Sequence, residues 1–266
     1  MSLAPTGIDY NIMMSLINPN HTGIDRDVWR ILWVAFREKG YDPEEFIPLI
    51  QPLIKDKISD RVFKGIWKTI KNQGDVSHFL DSMSDNQVES KTWLINMVNA
   101  HTDDVEKIHV LGGWFAHPLL NMIEDKLPDV KLVENIDLDD NALKMCRFLN
   151  EGIERPFEVI TTNEDVMTQG MRDWDIRLVI NTSSEHMPPL PEILKHRKYR
   201  KIEDRTSQGP CLFAIQSNNM FHIPDHINCV NSEDELAKIS DLKQVLYKGS
   251  MTMPNGYKRF MVIGYA

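Results

Sequence analysis

The sequence predicts an α/β protein: a doubly wound, mostly parallel sheet that ends in an antiparallel hairpin and follows an N-terminal helical region. Three observations carry this reading. After residue 105, short apolar runs alternate with segments of helical period, the pattern of a parallel sheet covered by helices on both faces. The last two apolar runs, Gln244–Lys248 and Tyr257–Tyr265, are joined by a loop containing Pro254-Asn255-Gly256. That loop leaves no room for a helix, so the two strands pair antiparallel. Before residue 105 the periodicity is helical throughout. The boundary divides a helical region, 1–104, from an α/β domain, 105–266.

In the helical region Asp25 caps a segment whose Val28, Ile31, Leu32, Ala35 and Phe36 recur at helical spacing, and Gly40 stands where a left-handed terminator is wanted. Asp42-Pro43-Glu44-Glu45 is a second start, with Pro in the first turn and acids facing the positive end of the dipole. Pro52 kinks or breaks the helix that follows. Further helices are expected at Asp60–Asn72, Val76–Met83 and Asn86–His101. In the second region strands are expected at Lys107–Leu111, Lys131–Ile136, Glu158–Thr161, Ile176–Asn181 and Cys211–Gln216. The helices between and after them are Pro118–Lys126, Asp139–Asn150, Pro189–His196 and Ser232–Ser240, the last with its own cap.

Composition narrows the function classes. With 42% hydrophobic and 26% charged residues the chain is an ordinary globular one. No apolar run approaches a membrane span and no signal peptide is evident, so a cytoplasmic protein is expected. Cys146, Cys211 and Cys229 form neither a disulfide framework nor a CxxC motif. The net charge of −9 disfavours long contacts with a phosphate backbone. The basic run Lys195-His196-Arg197-Lys198-Tyr199-Arg200-Lys201 reads first as a solvated helix end, and second as a patch for an anion.

Ligands of doubly wound sheets bind beyond the carboxyl ends of the strands. After the first strand comes Leu111-Gly112-Gly113-Trp114-Phe115-Ala116, where glycines permit a tight turn and close approach to a ligand, or simply a turn. Asp137 closes the second strand. An acid there, about 20 residues after the glycine turn, can accept from both hydroxyls of a ribose or can cap the next helix. Asp165 with Val166 and Met167 follows the third strand, as ligand contacts or as another cap. The fourth strand enters a polar cluster at Asn181, Ser183, Glu185 and His186, and the fifth ends in Gln216-Ser217-Asn218-Asn219. Such groups are costly to bury without partners, which points them at a cleft, the alternative being two ordinary polar loops. His222, His226 and Cys229, with Glu185 or His186, match no strong zinc spacing, so no metal is expected.

From Asn86 onward the chain resembles the class I S-adenosylmethionine-dependent methyltransferases, in particular a group met in bacteriophage and environmental sequences. The resemblance rests on the strings around Gly112–Ala116, Asn181–His186 and Gln216–Asn219. It implies a Rossmann-like domain with a final hairpin and S-adenosylmethionine as cofactor. It further implies that Gly112, Gly113, Trp114 and Ala116 line the methionine and ribose side, Asp137 the ribose, and Asp165 with Val166 the adenine. Asn181, Glu185 and His186 would meet the methyl acceptor, which is expected to be a small molecule or a protein rather than a nucleic acid. The helices before the domain, notably the one through Trp93, would close over the cleft. The family's Gly-x-Gly-x-Gly run is altered, with Trp114 in the middle, Ala116 at the end and no acid before it. A binding or assembly protein on a degenerate methyltransferase scaffold is therefore the alternative. A nicotinamide-dependent oxidoreductase is disfavoured by the missing GxGxxG and by the hairpin.

Overall fold

In the computed structural model, residues 82, 84–151, 153–168, 175–204 and 209–266 are described. The helices expected before residue 82 lie outside them. Seven strands form one sheet: β1 (Lys107–Leu111), β2 (Leu132–Asp137), β3 (Glu158–Asn163), β4 (Leu178–Asn181), β5 (Leu212–Asn218), β6 (Gln244–Thr252) and β7 (Lys258–Tyr265). Their order is β3-β2-β1-β4-β5-β7-β6. β1 pairs parallel with β2 and β4, β2 with β3, and β4 with β5. β7 inserts antiparallel between β5 and β6. The strand order reverses between β1 and β4, so the loops after those two strands open the crevice where a ligand binds.

Among the described residues five α-helices accompany the sheet: α1 (Asp85–His101), α2 (His117–Lys126), α3 (Asp140–Asn150), α4 (Leu190–His196) and α5 (Glu233–Ser240). The period-2 alternation of the strands sorts the core into two layers. Leu178, Ile180, Leu212 and Ala214 pack with Leu94, Ile95 and Val98 of α1 and Leu119, Leu120 and Ile123 of α2. Val179, Phe213 and Ile215 point the other way, to Ile193 of α4 and Leu236 of α5. Each such fully buried aliphatic side chain contributes about 1.5–3 kcal/mol relative to exposure. At α5 the expected cap is present: Ser232 Oγ accepts from Glu235 N at 3.1 Å, and Glu233, Asp234 and Glu235 fill the first turn.

The strands run longer than local pattern predicts where a neighbour supplies partners. β3 reaches Asn163 because β2 pairs Asp137 with it. β5 reaches Asn218 opposite Arg259, and β6 continues through Gly249 to Thr252 along β7. The compact α/β unit comprises Asn86–Arg147 and Glu154–Ala266, so α1, which the sequence places before the domain boundary, packs within it. Trp93 Nε1 donates to Tyr247 Oη at 3.2 Å and Ser90 Oγ to Gln216 Oε1 at 3.0 Å. These bonds and its buried Leu94 make α1 a fixed wall of the domain.

Candidate active site

The chain leaves β1 at Leu111 and turns sharply, with Gly112 N donating to Ile136 O at 2.8 Å. Gly112, Trp114 and Ala116 have φ of 60°, 52° and 51°. These alternate positions are those of the Gly-x-Gly-x-Gly run that the sequence resembles, and two of the three left-handed steps are carried by Trp and Ala. The left-handed region costs an L residue roughly 1–2 kcal/mol, so surrounding bonds must hold it. Trp114 N donates to Asp137 Oδ2 at 2.8 Å, Trp114 O accepts from Asn135 Nδ2 at 2.9 Å, and the indole packs against Phe115 in a tilted contact, with ring centroids 4.5 Å apart. Gly113 is required by space. A Cβ there would stand 2.2 Å from Asn135 Oδ1 and 2.7 Å from Val110 Cγ1.

Asp137 is half-buried at the mouth of β2. Its Oδ2 receives Trp114 N and its Oδ1 receives Asp139 N at 2.9 Å. A carboxylate offers about four acceptor positions, so each oxygen keeps one for a further donor such as a ribose hydroxyl. The helix cap is Asp139, whose Oδ1 accepts from Asn141 N at 2.9 Å and Ala142 N at 3.2 Å. This leaves Asp137 as the connector between the two loops. Beyond β3, Asp165 is exposed and closes a turn on Met167 N at 2.8 Å. Val166 is buried in the layer that holds Leu111 and Ile136, and Met167 beside it is half-buried.

Beyond β4 the chain crosses against the β1 loop. Asn181 is 5% exposed. Its Oδ1 accepts from Ser183 N at 3.0 Å and its Nδ2 approaches Met187 Sδ at 3.4 Å. Ser183 Oγ donates to Gly112 O at 3.3 Å. Ser184–His186 form a single 3-10 turn that presents His186 to solvent and sends Glu185 inward. Glu185 is 4% exposed, and its Oε1 accepts from Arg259 Nη1 at 2.8 Å and Asn218 Nδ2 at 2.8 Å. Its Oε2 is buried with no hydrogen-bond partner. Arg259 Nη2 also donates to Thr182 O. Nothing in local pattern marks Arg259 as a partner of Glu185; the one signal is a cation heading the apolar run Phe260–Ile263.

Two sequence expectations are corrected. The polar end of β5 is internal structure: Gln216, Ser217 and Asn218 are each 2% exposed or less. Gln216 is bound to Ser90 of α1, and Ser217 Oγ donates to Asn228 O at 3.0 Å. Partners from distant segments repay the desolvation that makes such groups look like a cleft lining. Cys229 lies in the loop after β5. The basic run, in turn, divides by direction. Arg197 and Arg200 are 3% and 2% exposed, and Arg197 Nη2 pairs with Glu164 at 2.8 Å. Lys195, Lys198 and Lys201 remain at the surface. Tyr199 bonds His109 Nδ1 at 2.9 Å, whose Nε2 meets Glu134 at 3.0 Å. The hydrogen bond from His109 holds the Glu134 carboxyl below its ordinary range, aided by Thr162 and opposed by burial.

A parallel sheet in the order β3-β2-β1-β4-β5 completed by antiparallel β7 and then β6 is the doubly wound, Rossmann-like sheet with an antiparallel end that the sequence predicts. Solved structures of similar fold include an N-methyltransferase NodS from Bradyrhizobium japonicum, 10% identical over 67% of this chain and 96% of that one, with a TM-score of 0.47. A methyltransferase from Leishmania major is 12% identical over 71% and 77% at 0.49, and one from Aquifex aeolicus 14% identical over 67% and 94% at 0.43. No family model matches the chain, and no curated protein matches its sequence. Among the described residues no helix is long and apolar enough to cross a membrane.

Proposed function

We propose that the chain is an S-adenosylmethionine-dependent methyltransferase. One observation carries this reading. The left-handed steps at Gly112, Trp114 and Ala116 are tied by Trp114 N to Asp137, whose carboxylate keeps acceptor positions for a ribose. Gly112, Gly113, Trp114 and Ala116 line the methionine and ribose side, Asp137 takes the ribose, and Asp165 with Val166 and Met167 borders the adenine. The acceptor lies toward Asn181, Glu185 and His186. When bound, the cofactor would supply a sulfonium methyl for in-line transfer to the acceptor's nucleophile, leaving the thioether, and the acceptor's proton would pass to a base. His186 is the exposed imidazole of the three and suits that base. Glu185, engaged by Arg259 and Asn218, orients the turn that carries it. Most of the rate then comes from positioning and exclusion of water. With a net charge of −9, a small-molecule or protein acceptor is favoured over a nucleic acid.

A second reading, a binding or assembly protein on this scaffold, is favoured by the two non-glycine residues in the turn and by a β1 without an acid. Calorimetry with S-adenosylmethionine and S-adenosylhomocysteine separates the two. Micromolar binding that Asp137→Ala weakens by about 1.5–3 kcal/mol, roughly ten- to a hundredfold, supports the cofactor site. A melting curve on the variant checks that the loop still folds. Failure of both ligands to bind wild type leaves the scaffold reading in front.

A further inference from the structure

The structure assigns a second, metal-binding role to the turn after β4: Glu185, His186 and His226 together form a site for a zinc ion. The spacing in sequence predicts no metal, because His226 lies some 40 residues from the other two. The loop after β5 closes that distance. Asn228 N donates to Glu185 O at 3.0 Å and Asn228 Nδ2 to Ser184 O at 3.4 Å, which pin the loop to the turn. The imidazoles of His186 and His226 then meet edge to face, with centroids 4.4 Å apart. One ligand atom from each of the three residues lies within 4.8 Å of the others. Ligands on a tetrahedral zinc ion stand about 3.3 Å apart, so rotamer adjustments of an ångström or so close the set.

The hydrogen bonds around these side chains leave one ligand atom uncommitted on each. His186 Nδ1 faces Asp225 O at 3.2 Å. A carbonyl only accepts, so Nδ1 carries the proton and Nε2 is left as a ligand. His226 Nδ1 lies 3.6 Å from Cys229 Sγ, whose thiol donates to Asn218 Oδ1 at 3.3 Å, leaving Nε2 free there too. Glu185 Oε1 is occupied by Arg259 and Asn218. Its Oε2, on a residue 4% exposed, is buried with no hydrogen-bond partner. Outer groups that fix the tautomer and orientation of ligands in this way are the usual surroundings of a metal centre. Two imidazoles and one carboxylate are a donor set of open zinc sites, which keep a coordination position for water or a substrate oxygen. The site shares Glu185 and His186 with the methyl-transfer reading: a zinc ion on His186 Nε2 takes the lone pair given there to the base, so the two roles are alternatives for that imidazole, and zinc binding is measured without turnover.

The test uses the full chain, stripped of metal by a chelator and titrated with Zn2+ by calorimetry, with S-adenosylhomocysteine binding followed in parallel. One equivalent should bind at micromolar Kd or tighter. His186→Ala and His226→Ala should each weaken it at least tenfold, and Co2+ should give visible d–d absorption that both variants lose. His222→Ala, an exposed neighbour, should leave zinc binding unchanged. Neither ligand histidine is in the core, so melting curves of both variants should resemble wild type. Absence of binding, binding that survives either ligand variant, or binding lost with His222→Ala overturns the proposal. Because S-adenosylhomocysteine is measured on metal-free protein, loss of the zinc site and loss of the cofactor reading register separately.

Discussion

Replacing Arg259 by methionine keeps the length of the side chain and removes the charge that faces Glu185. The two side chains are 7% and 5% exposed, so solvent does little to screen them. Arg259 supplies one hydrogen bond to Glu185 Oε1 at 2.8 Å and another to Thr182 O. Charge-assisted bonds of this kind are each worth about 1.5–3 kcal/mol, partly offset by the cost of burying the guanidinium. Breaking one side of a buried pair typically costs about 3–5 kcal/mol, because the remaining ion is left uncompensated. Arg259→Met should therefore lower stability by about 3–5 kcal/mol, read from the urea midpoint at unchanged slope. Glu185→Gln in the same chain removes the orphaned charge and keeps an acceptor for Asn218. The double variant should then be more stable than the sum of the two single losses by at least about 1 kcal/mol. A loss below about 1 kcal/mol for Arg259→Met, or strict additivity in the double variant, would refute the account of Glu185 as a buried, paired anion.

Two further outcomes test the loops. Gly113→Ala drives a methyl against Asn135 Oδ1 and Val110 Cγ1. It should cost about 1–3 kcal/mol by overpacking and weaken S-adenosylhomocysteine binding through the displaced Trp114 carbonyl; an unchanged midpoint and Kd would contradict the close approach. Glu134, held below its ordinary pKa by His109, binds its proton less readily folded than unfolded. Its contribution is full above the ordinary glutamate pKa of about 4.3 and is lost as pH falls through the lowered folded value. Glu134→Gln should flatten that acid limb in urea midpoints taken from about pH 6 to about pH 3, and parallel curves for the two proteins would count against it.

Much of this fold is written locally. The unbroken apolar runs Leu178-Val179-Ile180 and Leu212-Phe213-Ala214-Ile215 dictate strands buried on both faces. The loop through Pro254-Asn255-Gly256 is too short for a crossover, so an antiparallel end follows from chain length alone. Strand-end positions are equally legible, because a doubly wound sheet must bring Gly112, Asp137 and Asn181 to one edge. What a side chain does once there depends on partners distant in sequence. Gln216 looks destined for a cleft until Ser90, 126 residues away, receives it in the core. Arg197 reads as part of a basic surface until Glu164 draws it inward. Glu185 becomes a buried anion only because β7 sets Arg259 beside Asn218. His226 joins Glu185 and His186 only because the loop after β5 folds back on the turn. Periodicity records whether a residue faces oil or water. A polar group's cost of burial, however, is decided by the hydrogen bonds that tertiary structure supplies, and those leave no trace in local pattern.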